Sequence, residues 1–339
     1  MSVEPRVVPG VALDDEPALS PAAPVVRPRR WFRGEPPSAV KKTTLKAKLF
    51  SYLVLLPVAV LFVAPFAWLI SASFQPMSTI FSTPPTWVPD DPTLGGYKGF
   101  LNVGELSKAE RSRGSGDWKW FVNSAFVAVT VVTLQIFFNA LCAYCFAKRR
   151  FPGRDAIFLV FLGTMMIPGM VLLIPNYIIL QHIPFVGGND WTGNGGQGLL
   201  NNYAGLILPQ VVTAFGIFLL RQYMLSIPDQ LIEAARIDGA GEFRIFWTVV
   251  LPLCTPALAA NAIFSFQSVW EDFFWPLIVM TDPEKYTVPV GLALFVKQNQ
   301  TSWTLLFAGS VIATLPMLVV FLVLQRYFVQ GIALTGIKG

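Results

Sequence analysis

Histidine is almost missing from this chain: His182 is the only one, and cysteine occurs three times, at Cys142, Cys145 and Cys254. Cys142 and Cys145 form a C-x-x-C, which in other settings signals redox or metal chemistry. Here the pair lies inside an apolar run and has no second pair to complete a ligand set, so small helix-packing residues are the better reading. His182 stands at the end of another apolar run and reads as an interfacial residue. No metal site is therefore expected. Charge is also scarce, at 13% of residues, against roughly 25% in an ordinary soluble domain. There is no basic, aromatic-interleaved patch, so no nucleic-acid partner is expected. No G-x-x-x-x-G-K-[ST] loop occurs. Any work done with nucleotide must use nucleotide bound on another chain. No convergent pair or triad of catalytic side chains stands out either, and the chain does not read as an enzyme.

What is abundant is apolar surface. Over half the residues are hydrophobic (54%), and the mean hydropathy is +0.55. Six runs are long enough to cross a bilayer core, at about 48–72, 121–147, 156–181, 203–225, 257–281 and 305–328. The expected fold is an all-α integral membrane protein with six transmembrane helices. Most runs carry an internal Pro, Asn, Gln or Ser, which suits a bundle with a polar path better than separate lipid anchors. Pro168, Pro175, Pro209 and Pro316 free backbone carbonyls and permit bends. Such bends could serve alternating access or be fixed packing kinks.

Six spans put both termini on one side. That side, read with the 148–155 turn and the segment after Arg221, holds 18 of the 25 Lys and Arg residues, and the three opposite connections hold 7. Positive residues stay inside, so both termini are expected in the cytoplasm of a bacterial cell, with the chain multi-pass in its membrane lipid. Residues 1–40 are rich in Pro, Ala, Val and charge, with no helical period and no signal-peptide core. They read as a disordered cytoplasmic tail, leaving 41–339 as the transmembrane domain. The external connections are about 74–119, 182–202 and 282–304 by the same topology. Trp118 and Trp120 end the first and suit an outer aromatic belt. The second, with GGNDWTGNGGQG, reads as a flexible loop rather than a phosphate cradle.

One charged stretch interrupts the apolar chain: EAARIDGAGEFRIFWTVVLPL, from Glu233 to Leu253. Pro228 suits a helix start and Asp229 its first turn. Gly239 suits a left-handed helix end, Gly241 a second bend, and Pro252 a stop to a second short helix beginning at Glu242. Neither helix can span a bilayer. The segment 226–252 therefore reads as a helix–elbow–helix on the cytoplasmic face, between spans 4 and 5. Small Ala234 and Ala235 and the charge of Glu233 are offered to a partner. An amphipathic helix lying along the headgroups is the alternative that spacing leaves open.

Glu233-Ala234-Ala235, then Gly239, Val249 and Leu251-Pro252, resembles the EAA motif of the permease subunits of bacterial ABC importers, which work with an external binding protein. The family usually has Ile where Val249 stands. The likeness extends through AKRRFPGRD at 147–155, MMIPGMVLLIPNYIIL at 165–180, the 206–240 stretch, WEDFFWPLIV at 270–279, YTVPVGLA at 286–293 and 308–332. These are similar to the carbohydrate-uptake branch, and more narrowly to the second permease of maltose- and trehalose-type systems. The resemblance implies that Glu233, Ala234, Ala235, Asp238 and Gly239 form a coupling helix docking on an ATPase subunit. It further implies a homologous second permease, an ATPase dimer and an extracytoplasmic sugar-binding protein as partners. No cofactor is expected on this chain itself.

The fifth run carries the candidate substrate path. Asn261, Ser265, Ser268 and Asp272 are spaced 4, 3 and 4, on one face of a helix, with Gln267 and Glu271 on an adjacent row. Sugars would offer hydroxyls to this face and apolar faces to Trp270, Phe273, Phe274 and Trp275. The alternative is that the carboxylates bond neighbouring helices. Glu271 stands where such permeases commonly have Asn. The competing cargo is a polyol, a sugar phosphate or a glycerophosphodiester. Few arginines lie in the spans, which favours neutral sugar. A stand-alone secondary transporter would leave the elbow without purpose, and no convincing repeat joins the two halves.

Overall fold

The computed structural model describes residues 45–84, 86–101, 118–296 and 301–335, with side chains for all but 45–48 and 327–335. The expected tail at 1–40 and most of the polar run at 106–120 lie outside the described residues. The chain divides into two compact units, Met1–Val60 and Leu61–Gly339. Among the described residues all regular structure is helical.

Helix α1 (Leu45–Ser73) straddles the division. Its stretch from Leu49 to Phe62 is apolar except for Ser51 and Tyr52. A helix without a polar stripe suits a membrane span or a buried core position. In the second unit, α2 (Gly95–Leu101) packs on α14 (Trp303–Thr335). The central element is α3 (Trp118–Lys148), which buries Asn123, Ser124, Gln135 and Asn139 along with its apolar face. It packs against α7 (Ala214–Leu225) and α11 (Thr255–Trp270), and α11 packs in turn on α14.

Three helices, Leu49–Ser73, Trp118–Lys148 and Trp303–Arg326, are each long and apolar enough to cross a membrane. The other apolar runs are broken. Helices α4 (Arg154–Thr164) and α5 (Gly169–Gln181) meet at 101°. Helix α6 (Tyr203–Ile207), with its 3-10 turn to Gln210, meets α7 at 41°. Glu242–Leu253 meets α11 at 81°. Prolines stand at all three breaks, the third being Pro256 in the first turn of α11. Pro168 caps α5, and Pro209 opens the 3-10 turn. Both sit where a missing N–H is harmless. Pro175 and Pro316, by contrast, lie inside unbroken helices.

The fifth run departs from expectation. Its hydropathy predicts one span over about 257–281, but α11 ends at Trp270 and α12 (Phe274–Val279) starts after a gap. Pro276 explains the interruption. It falls in the first turn of α12, where no donor is needed.

The loop at 182–202 is not a loose connection. Asn189 Nδ2 donates to Gln181 O (2.7 Å) and Ile183 O (2.9 Å), and its Oδ1 accepts from Gly196 N. Asp190 Oδ1 accepts from Thr192 N, Thr192 Oγ1 and Asn194 N. These bonds close the loop on itself. Asn201 then joins it to the 280–288 connection, accepting from Thr281 N, Asp282 N and Lys285 Nζ. Trp118 is exposed, but Trp120 is buried and donates to Pro283 O at 2.9 Å, so only the first of the pair suits an aromatic belt.

Candidate functional site

The charged interruption folds as a helix, a turn and a second helix. Helix α8 (Asp229–Ile237) follows Pro228. Gly239 has φ +78, the left-handed conformation that ends a helix at little cost only without a Cβ. Ala240 N then bonds back to Ala235 O at 3.0 Å. Gly241 does not need to be glycine, because its φ of −68 and ψ of 160 are ordinary extended backbone. Helix α9 (Glu242–Ile245) passes through a π-helical turn (Phe246–Val250) into α10 (Leu251–Leu253). Pro252 therefore does not stop the helix. The bend comes at Cys254, where Pro256 cannot donate to Pro252 O and the Thr255 hydroxyl does so instead at 2.7 Å.

Helix α8 has two faces. Ile232 is buried and Ala235 half-buried, over a core of Ala143, Tyr144, Leu220, Met224, Ile245 and Phe246. Glu233, Ala234, Ile237, Asp238 and Gly239 are exposed. The structure thus brings four of the five expected docking residues to one outer surface and turns Ala235 toward the core.

Both ends of α8 are tied to the end of α3. At its start, Lys148 Nζ donates to Asp229 Oδ1 (2.7 Å) and to Ile227 O (2.6 Å). Beyond its end, Glu242 Oε2 accepts from Tyr144 Oη (2.8 Å) and Oε1 from Arg236 Nε (3.0 Å), and Arg149 pairs with the same carboxylate. Sequence reading used Lys148 and Arg149 only as topology signals, because nothing local pairs them with residues 80 or more positions away. The Lys148 hydrogen bond holds the Asp229 carboxyl below the usual carboxylate range. A carboxyl depressed in the folded state stabilises above its unfolded value and loses that effect as pH falls through the folded one. Hydrogen-exchange protection of α8 is thus expected to be flat near neutrality and to drop below about pH 4, and Asp229→Asn to remove the drop. A wild-type profile that stays flat into acid would show the pair to be inconsequential.

The polar row on α11 is split. Asn261 and Ser265 are buried among helices, while Ser268 is exposed. Asp272 lies past the helix end, so it does not continue the row; its Oδ1 accepts from Trp275 N at 3.4 Å. The outward row is instead Phe264, Gln267, Ser268 and Glu271, spaced i, i+3, i+4 and i+7 as one helix face requires. Trp270 and Trp275 are buried and donate to Ala313 O and Gly205 O, so they brace the bundle and are not free to stack on a ligand.

A feature the sequence reading missed lies behind this face. The break at 211–213 frees backbone groups that hydrocarbon cannot satisfy. Gln135 Nε2 donates to Gln210 O at 2.6 Å, and Asn139 Oδ1 accepts from Thr213 N at 3.0 Å. Asn139 Nδ2 also donates to Thr213 Oγ1. Gly216 allows Asn139, Thr213 and Asn261 to meet, since a Cβ there would stand 2.1, 2.8 and 2.7 Å from their side-chain atoms. Two amides four residues apart on α3 were the available signal. Among the described residues no three His, Cys, Asp or Glu side chains gather into a metal site.

Residues 135–334 match the profile of the binding-protein-dependent transport system inner membrane component. The arabinooligosaccharides transport system permease protein AraQ of Halalkalibacterium halodurans is 33% identical over 282 residues, covering 83% of this chain and 93% of the relative. The sn-glycerol-3-phosphate transport system permease protein UgpE of Yersinia pestis is 31% identical over 283 residues, covering 83% and 91%. Among solved structures, a bacterial ABC transporter involved in the import of the acidic polysaccharide alginate aligns at TM-score 0.66 and 26% identity, over 84% of this chain and 98% of that one. The resemblance read from the EAA stretch agrees with all four. This chain belongs to the binding-protein-dependent transport system inner membrane component family, the permease subunits of bacterial ABC importers.

Proposed function

We propose that this chain is one of two homologous permeases in an ATP-driven importer, and that it carries a neutral oligosaccharide delivered by an external binding protein. It crosses the membrane six times, three of the spans being bent pairs, with both termini and the α8 elbow in the cytoplasm. An ATPase dimer holds ATP and magnesium and docks on Glu233, Ala234, Ile237, Asp238 and Gly239. Closure of that dimer moves the elbow, and the spans shift between inward- and outward-open forms. The observation that carries this reading is the division of α8 into a packed inner face and an exposed outer one.

The relatives are named for both neutral and anionic cargo, so likeness alone does not choose. The outward row of α11 supports a neutral sugar. Gln267 and Ser268 offer hydroxyl-binding groups, Phe264 an apolar face, and Glu271 a carboxylate that opposes a phosphate or uronate. The test is uptake into proteoliposomes holding the complex purified from native membrane, with its binding protein. The labelled solutes are an arabinooligosaccharide, an alginate oligosaccharide and sn-glycerol-3-phosphate. The neutral solute is expected to enter fastest. Gln267→Ala with Ser268→Ala is expected to slow uptake about thirtyfold, from the ~1 kcal/mol typical of each of two lost hydrogen bonds, while assembly holds. Faster entry of either anion would sink the neutral-cargo reading, and unchanged uptake in the double variant would remove this face from the path.

A further inference from the structure

The chain leads from α8 to α11 by an interrupted route. It passes the left-handed Gly239, a π-helical turn at Phe246–Val250 and the 81° bend at Cys254. The covalent path between the two helices is thus not one regular i→i−4 ladder.

A shorter route runs through side chains. Glu242, at the start of α9, holds three side chains on two other elements: Tyr144 and Arg149 at the end of α3, and Arg236 in the last turn of α8. Lys148, whose side chain is only 4% exposed, holds the other end of α8 through Asp229 and Ile227 O. Two tethers at opposite ends of a nine-residue helix restrain rotation as well as translation. Both tethers end within residues 144–149. Helix α3 is itself the element against which α7 and α11 pack, and its Gln135 and Asn139 hold the break of the fourth apolar run. Charge-assisted bonds of this kind are short and directional, as a link under alternating load must be.

We propose that Glu242 is a positioning residue for transport. Together with Tyr144, Arg149, Arg236 and the Lys148–Asp229 pair, it passes movement of the coupling helix directly to α3 and so to the broken helix beside the path. This rests on the importer reading above and adds a second line of transmission to the covalent one.

The experiment uses the whole complex, with its binding protein, in proteoliposomes and the same three labelled solutes. Uptake is measured per ATP hydrolysed, using whichever solute the wild type carries fastest. Glu242→Gln keeps the shape of the side chain and removes its charge. It is expected to co-purify normally with the ATPase and to lower uptake per ATP about fivefold or more, the size of a typical coupling between sites. Tyr144→Phe, which deletes one hydroxyl and no charge, is expected to move the ratio the same way by less. Exchanging the charges, with Glu242→Arg and Arg149→Glu together, is expected to recover part of the loss. An unchanged ratio in Glu242→Gln would mean that the packing of Ile232, Ile245 and Phe246 carries the motion alone, and would overturn the proposal. Loss of the ATPase from Glu242→Gln would overturn it too, by making the residue part of the docking surface. Failure of the importer reading itself shows separately, as a wild-type complex that lacks an ATPase or carries none of the three solutes.

Discussion

Glu233→Arg is expected to strip the ATPase from the purified complex while leaving the permease folded. Glu233 is exposed on the outer face of α8, so its replacement disturbs no packing within the chain. On the proposed reading its carboxylate meets a cation on the ATPase in a surface that becomes desolvated on docking. Reversing one charge of such a pair leaves two like charges facing each other, which costs about 3 kcal/mol or more. The expected loss of affinity is therefore a hundredfold or more, on the order of 1.4 kcal/mol per factor of ten. The measurement is the amount of ATPase recovered with the tagged permease, alongside the melting temperature of the permease. Glu233→Ala is expected to weaken recovery less, since it removes attraction without adding repulsion. Full recovery of the ATPase with the arginine variant would make α8 an ordinary headgroup helix.

Gly216→Val is expected to do the reverse, disrupting the fold wherever the ATPase binds. The first added carbon would lie 2.1 Å from Asn139 Nδ2 and 2.7 Å from Asn261 Oδ1. Asn139 cannot step aside freely, because both ends of its amide hold Thr213. Moving it would leave the broken helix with an unpaired N–H at part-buried Thr213. Overpacking costs typically 1–3 kcal/mol and an orphaned buried donor about 1–3 more. A combined loss of about 3–5 kcal/mol would remove most of the stability of a marginal protein. Yield from membranes and thermal unfolding in detergent test this. The control is Gly163→Ala, where an added Cβ meets nothing within 4 Å. Equal yields for the two variants would show that the amide cluster does not matter.

The elbow could be read in advance because its signals are local. Pro228 starts a helix, Gly239 ends it, and charge marks which residues leave the apolar phase. The apolar runs were equally plain, since span length and hydropathy need no partner. The breaks were less visible. Pro168 and Pro209 could equally have lain within continuous helices, as Pro175 and Pro316 do. Asp272 was misplaced because a spacing rule assumes that the helix continues, and Pro276 four residues later ended that continuity. The contacts of Glu242, Lys148, Gln135 and Asn139 join positions about 75 to 100 apart, a distance at which helical periodicity carries no information.

The two faces of α8 also bear on how a permease acquires its motor. Ile232, Ala235 and Asp229 answer to the permease, and Glu233, Ala234 and Ile237 are turned away from it. On the proposed reading, choice of ATPase and internal transmission are written in different letters of the same nine-residue word. The outer letters can drift toward a different ATPase without unsettling the machinery beneath. An engineer wishing to run this permease from a foreign motor would rewrite those three positions and leave the rest of the helix alone.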